Sequence, residues 1–254
     1  MRTLLLLMIV SLGLGACGDD MERQEKLSKL RALGGVSNPV IPQPSADTAA
    51  QTAELTVYAS VPLGATVTPS VFKDTEASLV VALDEATQEI IAGSESYTEY
   101  KGFRLYSVKV KLTMPTTTKF SALPYYLTTG IGKIRYGIKL ASGSEEEKIV
   151  GDILVYPATA AESAWVAPTI DIGTPLAGAT VKAGEAIDLQ ATVTDTNQEG
   201  LKVGWFTNDG KIVNRRAKST QWTPPAAGEY SLIATARGRK SKALAIKVIS
   251  VTAL

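Results

Sequence analysis

The sequence predicts an all-β chain built as two tandem antiparallel β-sandwich domains. Three observations carry this reading. Segments of alternating apolar and polar residues recur from residue 54 to residue 156. No segment has convincing helical periodicity. A stretch of proline and small residues from Pro157 to Pro168 divides the body in two.

The first body, residues 30–156, opens on Leu30-Arg31-Ala32-Leu33-Gly34-Gly35-Val36 and passes into Asn38-Pro39-Val40-Ile41-Pro42-Gln43-Pro44. Proline removes ladder donors, so this stretch belongs at a sheet edge or in a loop. Five alternating segments follow at 54–61, 77–83, 103–112, 133–140 and 148–156. In Leu105/Val108/Val110/Leu112 and Ile134/Tyr136/Ile138/Leu140 the apolar residues face one side and lysine or arginine the other, as in half-buried antiparallel strands. Ala141-Ser142-Gly143-Ser144-Glu145 joins the last two as a hairpin. The expectation is a sandwich of roughly seven strands. Residues 157–167 read as a linker, in which Trp165 is either carried free or packed across the junction.

The second body, residues 168–254, has a more specific pattern. Ala186–Val193 makes one strand and Val203-Gly204-Trp205-Phe206 the next, followed by the tight-turn signal Asn208-Asp209-Gly210. Thr220-Gln221-Trp222-Thr223 precedes Pro224-Pro225, then come Gly228-Glu229-Tyr230-Ser231-Leu232 and a last strand from Lys242 to Val251. Order and spacing resemble an immunoglobulin-like or related PKD-like domain of bacterial exported proteins. The resemblance implies that Trp205 is the buried tryptophan of strand C and Tyr230 a tyrosine corner. It also implies that Leu189 and Leu232 stand where an antibody domain carries its two cysteines. Strand spacing extends the immunoglobulin-like reading to the first body.

The N-terminus carries the other resemblance. Met1-Arg2 precedes the apolar run Thr3–Leu12, which is of signal-peptide length and too short to span a bilayer as a helix, and Leu14-Gly15-Ala16-Cys17 closes it. This resembles a bacterial lipoprotein signal. It implies removal of residues 1–16, acylation of Cys17 with diacylglycerol and palmitate-type chains, and a membrane anchor held by lipid. An ordinary secretory signal with Cys17 as a free thiol is the other reading. Residues 17–29 are polar and read as a tether. In the lipoprotein family Gly18 after the cysteine implies sorting to the outer membrane, with the body on the periplasmic face or the cell surface.

Composition narrows the chemistry. The chain has no histidine and one cysteine. It therefore has no intramolecular disulfide, and histidine-dependent serine, cysteine and zinc catalysis is excluded. The expectation is a protein that is not an enzyme and takes no cofactor or metal. Glu145-Glu146-Glu147, at a hairpin, read as solvated charge rather than converging catalytic acids. Asp195-Thr196-Asn197-Gln198-Glu199 alternates oxygen donors, but its spacing is incomplete for calcium and a plain polar loop is the better reading. Tyr97, Tyr100, Phe103, Tyr125 and Tyr126 are either packing residues or a sugar-stacking surface.

Charge is unevenly shared. Residues 17–167 carry 14 Lys+Arg against 18 Asp+Glu, net −4, whereas residues 168–254 carry 11 against 7, net +4. Arg215, Arg216 and Lys218 follow an expected C′ strand, and Arg237, Arg239, Lys240 and Lys242 surround the turn before the last strand. These seven cations have three readings: an anionic-partner site, solvated loops, or a face turned toward the acidic first domain. Candidate partners are an acidic protein, an acidic polysaccharide or phosphorylated lipopolysaccharide. No nucleic acid is expected. The function expected is a lipid-anchored interaction or scaffold module of the cell envelope, with a surface-exposed carbohydrate-binding or adhesive lipoprotein as the alternative.

Overall fold

The computed structural model describes residues 27–46, 49–74, 80–157 and 159–254. The expected signal peptide, Cys17 and most of the expected tether lie outside the described residues. Seventeen strands are described, nine in the first body and eight in the second.

In the first sandwich β1 (Arg31–Asn38), β2 (Thr52–Val61) and β7 (Phe103–Thr113) pair in that order. On the far edge of β7, β5 (Gln88–Ile90) and β6 (Ser96–Tyr100) share one position. The facing sheet is β9 (Glu145–Val155), β8 (Gly132–Ser142), and then β3 (Thr68–Val71) and β4 (Val81–Ala82) together along the other edge of β8. Seven strand positions result, in the two-sheet order of an immunoglobulin-type sandwich. Alternation explains the core. Val57, Tyr106, Val108, Val110, Ile134, Ile138 and Leu140 point between the sheets and are fully or almost fully buried. At the β8–β9 hairpin Gly143 takes φ 59°, the left-handed conformation that a two-residue turn asks of glycine.

Two sequence expectations are corrected here. Residues 117–129 hold two short helices, α1 (Thr117–Ser121) and α2 (Pro124–Thr129), where no helix is expected from periodicity. Each is under two turns, too short for a 3.6-residue period to register. Phe120 on α1 is buried and stacks on Tyr126. Glu145 and Glu147 are also not merely solvated: their carboxylates accept the backbone N–H groups of Leu30 and Ala32 at the edge strand β1.

The second sandwich has β10 (Thr169–Thr174), β12 (Ile187–Thr194), β15 (Ser219–Thr223) and β14 (Lys211–Ile212) in one sheet. The other holds β11 (Thr180–Val181), β17 (Leu244–Ala253), β16 (Gly228–Gly238) and β13 (Leu201–Thr207). Trp205, Leu189 and Leu232 lie in one buried cluster, as the resemblance implies. The Tyr230 hydroxyl donates to the Ala226 carbonyl at 2.9 Å, completing the tyrosine corner. One strand differs from expectation, because Lys211–Ile212 pairs with β15 and so joins the opposite sheet from a C′ strand.

The sandwiches are not strung on a free linker. Phe206, Ile233 and Val248 form a cross-strand row on the outer face of β13–β16–β17. They pack with Phe103, Leu105 and Tyr100 from β6–β7 and with Leu27 and Leu33. Leu105 therefore faces opposite to Val108 and Val110, against the expected alternation. Leu27, expected in the tether, is fully buried, and its N–H donates to the Thr207 carbonyl at 3.1 Å. Trp165 packs across the junction with Tyr156, Val40, Ile41 and Ala243. The Phe103→Ala variant is expected to cost about 3–5 kcal/mol, since it empties a fully buried aromatic site. Urea unfolding reads the loss, and small-angle scattering reads a larger radius of gyration as the two sandwiches part.

Candidate functional site: a basic groove and an interdomain cleft

The turn between β16 and β17 is built around one buried carboxylate. Glu199, in the loop before β13, accepts the N–H groups of Lys240 and Ser241 at 2.7 Å each and the Ser241 hydroxyl at 2.6 Å. Three donors on one carboxylate offset the cost of burying it. Gly238 N–H closes the turn on the Ala243 carbonyl, and Arg239 N–H reaches the Gly200 carbonyl. A side chain at Gly238 would collide with Glu199 and Ser241, so the position needs glycine. The loop oxygens of residues 195–199 are thus used within the protein. Asp195 accepts from the N–H groups of Glu199 and Gly200, and Asn197 brackets the backbone of Val166. Among the described residues no group of three or more His, Cys, Asp or Glu side chains is placed to hold a metal ion.

Six of the seven predicted cations fall at two places beside this turn, with Arg239 bordering both. Arg215, Arg216 and Lys218 lie between β14 and β15, where the Arg215 carbonyl accepts from Trp205 N–H and the Ala217 carbonyl from the Trp205 indole. That segment, Arg239 and β13 itself enclose a groove of about 490 Å³ lined by Lys202, Arg215, Arg216, Lys218 and Arg239, with no carboxylate in its lining.

Arg237 and Lys242 turn instead toward the first sandwich. With Lys202 and Arg239 they meet Arg135, Val150, Gly151 and Asp152 around a cleft of about 220 Å³. Lys240 belongs to neither place: its ammonium stands 5.8 Å from the Trp165 ring centroid. Lys202 and Arg135 were not singled out in the sequence. Lys202 sits within a strand pattern and Arg135 in another body, so no local cluster announces either.

Asp152 is the acidic pivot of the cleft. Arg135 and Lys133 both pair with it, at 2.8 Å each, and Arg135 also reaches Asp74 at 3.3 Å. Burial pushes the Asp152 carboxyl up, but the Arg135 and Lys133 cations outweigh it and hold the group below its usual range. Lys242 has the opposite setting. Burial, followed by the charges of Arg237, Lys202 and Lys133, lowers its pKa despite nearby Asp152.

The aromatic residues form packed pairs. Tyr97 lies against Tyr106, Tyr100 stacks on Phe103, and the Tyr97 hydroxyl accepts from Val67 N–H.

Residues 168–234 match the family described as Bacterial Ig domain. The matched stretch is the second sandwich up to the middle of β16, and it includes Trp205 and the Tyr230 corner. No curated protein matches the chain. Among solved structures, the chain is similar to the fibronectin(III)-like modules of Clostridium thermocellum CbhA, at 12% identity over 86% of this chain and 93% of that one, TM-score 0.32. The N-terminal Ig1-2 module of the Drosophila receptor protein tyrosine phosphatase DLAR gives 8% identity over 89% and 99%, TM-score 0.32. The D00-D0 domain of intimin gives 14% over 87% and 99%, TM-score 0.23.

Because the folded Asp152 carboxyl titrates below its unfolded value of about 3.9, its contribution to stability is fully present above that pH. It is lost as pH falls through the lower folded value. Urea unfolding between about pH 6 and pH 2 is expected to show Asp152→Asn less stable than wild type at the upper end. The variant's acid limb should be flatter, with the two curves converging at the lower end.

Proposed function

We propose that this protein is a lipid-anchored, non-enzymatic interaction module of the cell envelope that presents the basic groove of its second sandwich to an anionic polymer. The observation that carries the reading is the groove itself: five cationic side chains and no carboxylate line it, in a chain whose formal net charge is only +1. Charge gathered in this way on one concave face attracts an extended anion and accelerates its encounter. An acidic polysaccharide is the partner class this shape suits best.

The docked position of Leu27 supports the anchored reading. Ten residues, Cys17 to Lys26, separate the proposed lipid from the body and can span at most about 35 Å. Leu27 meets β13 at Thr207, opposite Leu232, whereas the cationic turn adjoins the other end, where Leu201 faces Gly238. Six residues of strand make about 20 Å, so the anchor and the basic end lie apart. A partner beyond the anchoring membrane would meet the basic end first. Tyr97, Tyr100, Phe103 and Tyr126, four of the residues that suggested sugar stacking, are engaged in ring packing, which takes support from the carbohydrate-stacking alternative.

Cys17→Ser is expected to move the protein from the membrane to the soluble fraction and to abolish incorporation of labelled palmitate. Arg215→Ala/Arg216→Ala/Lys218→Ala is expected to weaken binding to polygalacturonate about tenfold, or 1.4 kcal/mol. Neutral dextran should bind neither protein, and wild-type binding should weaken as salt rises. Equal polygalacturonate affinity for wild type and triple variant would remove the groove from the account.

A further inference from the structure

We propose that the cleft between the two sandwiches binds a phosphoryl group, with Lys202, Arg237 and Lys242 supplied by the second sandwich and the facing wall, Arg135 included, by the first. This goes beyond the groove reading, because the site needs both bodies and is incomplete in the second sandwich alone.

The cleft lining has five cations, Arg135, Lys202, Arg237, Arg239 and Lys242, against the single carboxylate of Asp152. That carboxylate is already held by Arg135 and Lys133. Among the described residues Lys202, Arg237, Arg239 and Lys242 form no ion pair. The polar contacts of Arg237 and Lys242 run along the turn itself, from Arg237 Nε to the Lys242 carbonyl at 3.2 Å and from Lys242 Nζ to the Arg239 carbonyl. Arg237 and Lys242 are half-buried, while Lys202 and Arg239 are exposed at the cleft's rim; cations this close repel one another, and a dianion placed among them reverses the sign of each interaction. The lowered pKa of Lys242 is a sign of the same crowding.

Backbone conformation points the same way. Lys242 sits at φ 62°, in the left-handed region where glycine or asparagine is the cheaper residue. A lysine kept there, at a turn already closed by Gly238 and Ala243, holds a charge in the cleft at a cost in local strain. The fork of Arg135 is taken by Asp152 and Asp74, which leaves the guanidinium of Arg237 and the ammonium groups of Lys202 and Lys242 for the several oxygens of a phosphate. The volume takes a phosphoryl group and a few waters, while anything attached to it must project outward. Inorganic phosphate and a phosphorylated saccharide share that chemistry.

Isothermal titration and thermal unfolding of the full chain, with sodium phosphate, glucose 6-phosphate and glucose at ionic strength matched by chloride, test the proposal. One phosphate per chain is expected to bind and to raise the melting temperature. Glucose should do neither. If glucose 6-phosphate binds as well as inorganic phosphate, the site reads the group on a carrier; if it does not bind, the free ion is the ligand. Lys242→Gly removes the charge and relieves the backbone, so it is expected to be at least as stable as wild type yet to bind phosphate at least tenfold more weakly. Lys202→Ala should weaken binding to a similar extent. The Arg215→Ala/Arg216→Ala/Lys218→Ala protein should bind phosphate as wild type does, which separates this site from the groove. No heat and no melting shift at about 10 mM phosphate, or full affinity in Lys242→Gly, would overturn the proposal.

Discussion

The outer face of the β13–β16–β17 sheet carries Phe206, Ile233 and Val248 in one row, apolar side chains that a lone sandwich would leave in water. Covering them decides how the rest of the molecule is arranged. Phe103 and Ile233 become fully buried where the two bodies meet, and each such side chain contributes about 1.5–3 kcal/mol. Edge strand β1 is drawn along the seam, with Gly34 against Leu244 and Val36 close to Ala243. Leu27 closes the lower part of the seam at Thr207. The hairpin turn of β6–β7 leans on the same sheet, where Gly102 meets Asn208 at φ 82°.

Once the seam is set, the electrostatics follow. β8 and β9 bring Arg135 and Asp152 to the side of the turn between β16 and β17, and that turn cannot swing away because Glu199 holds three of its donors. The acidic first body and the basic second body therefore meet at one carboxylate and several cations rather than in a neutral network. The excess positive charge at this meeting comes from the second sandwich, since Arg135 and Asp152 of the first offset each other. On the free side of β13, Arg215, Arg216 and Lys218 keep their charges facing a groove that the first body does not reach.

The fold class and the second sandwich were legible in the sequence because their signals are local. Alternation over eight to eleven residues marked β2, β7, β8, β9 and β12, and Trp205 with the Tyr230 corner marked the immunoglobulin-type core. Short elements were not legible. β3, β5 and β6 span three to five residues, and α1 and α2 five and six, too few for a period to declare itself. The seam left a trace that alternation alone misreads. In β7 Phe103 and Leu105 face the partner sheet while Tyr106, Val108 and Val110 face the core, so the apolar parity switches mid-strand. β17 does the same between Val248 and Ile249. A switch of parity in two strands, together with burial of β16 on both faces, is the sequence signature of a sheet packed on each side. The seven cations were expected at one pole, whereas Arg215, Arg216 and Lys218 border the groove and Arg237 and Lys242 the cleft; the pairing of Lys211–Ile212 with β15 that leads into the first group is a non-local choice.

The proposed anchor ahead of Leu27 and the cations at the other end of β13 give binding surfaces a fixed direction only if the two sandwiches move as one body. The direct measurement is the distance distribution between spin labels on the two sandwiches, at Leu63→Cys and Leu176→Cys in a Cys17→Ser background, both positions being well exposed. A packed seam predicts one narrow distribution that broadens when Phe103 is truncated. A broad distribution in the otherwise native chain would show the sandwiches moving independently and would contradict the account.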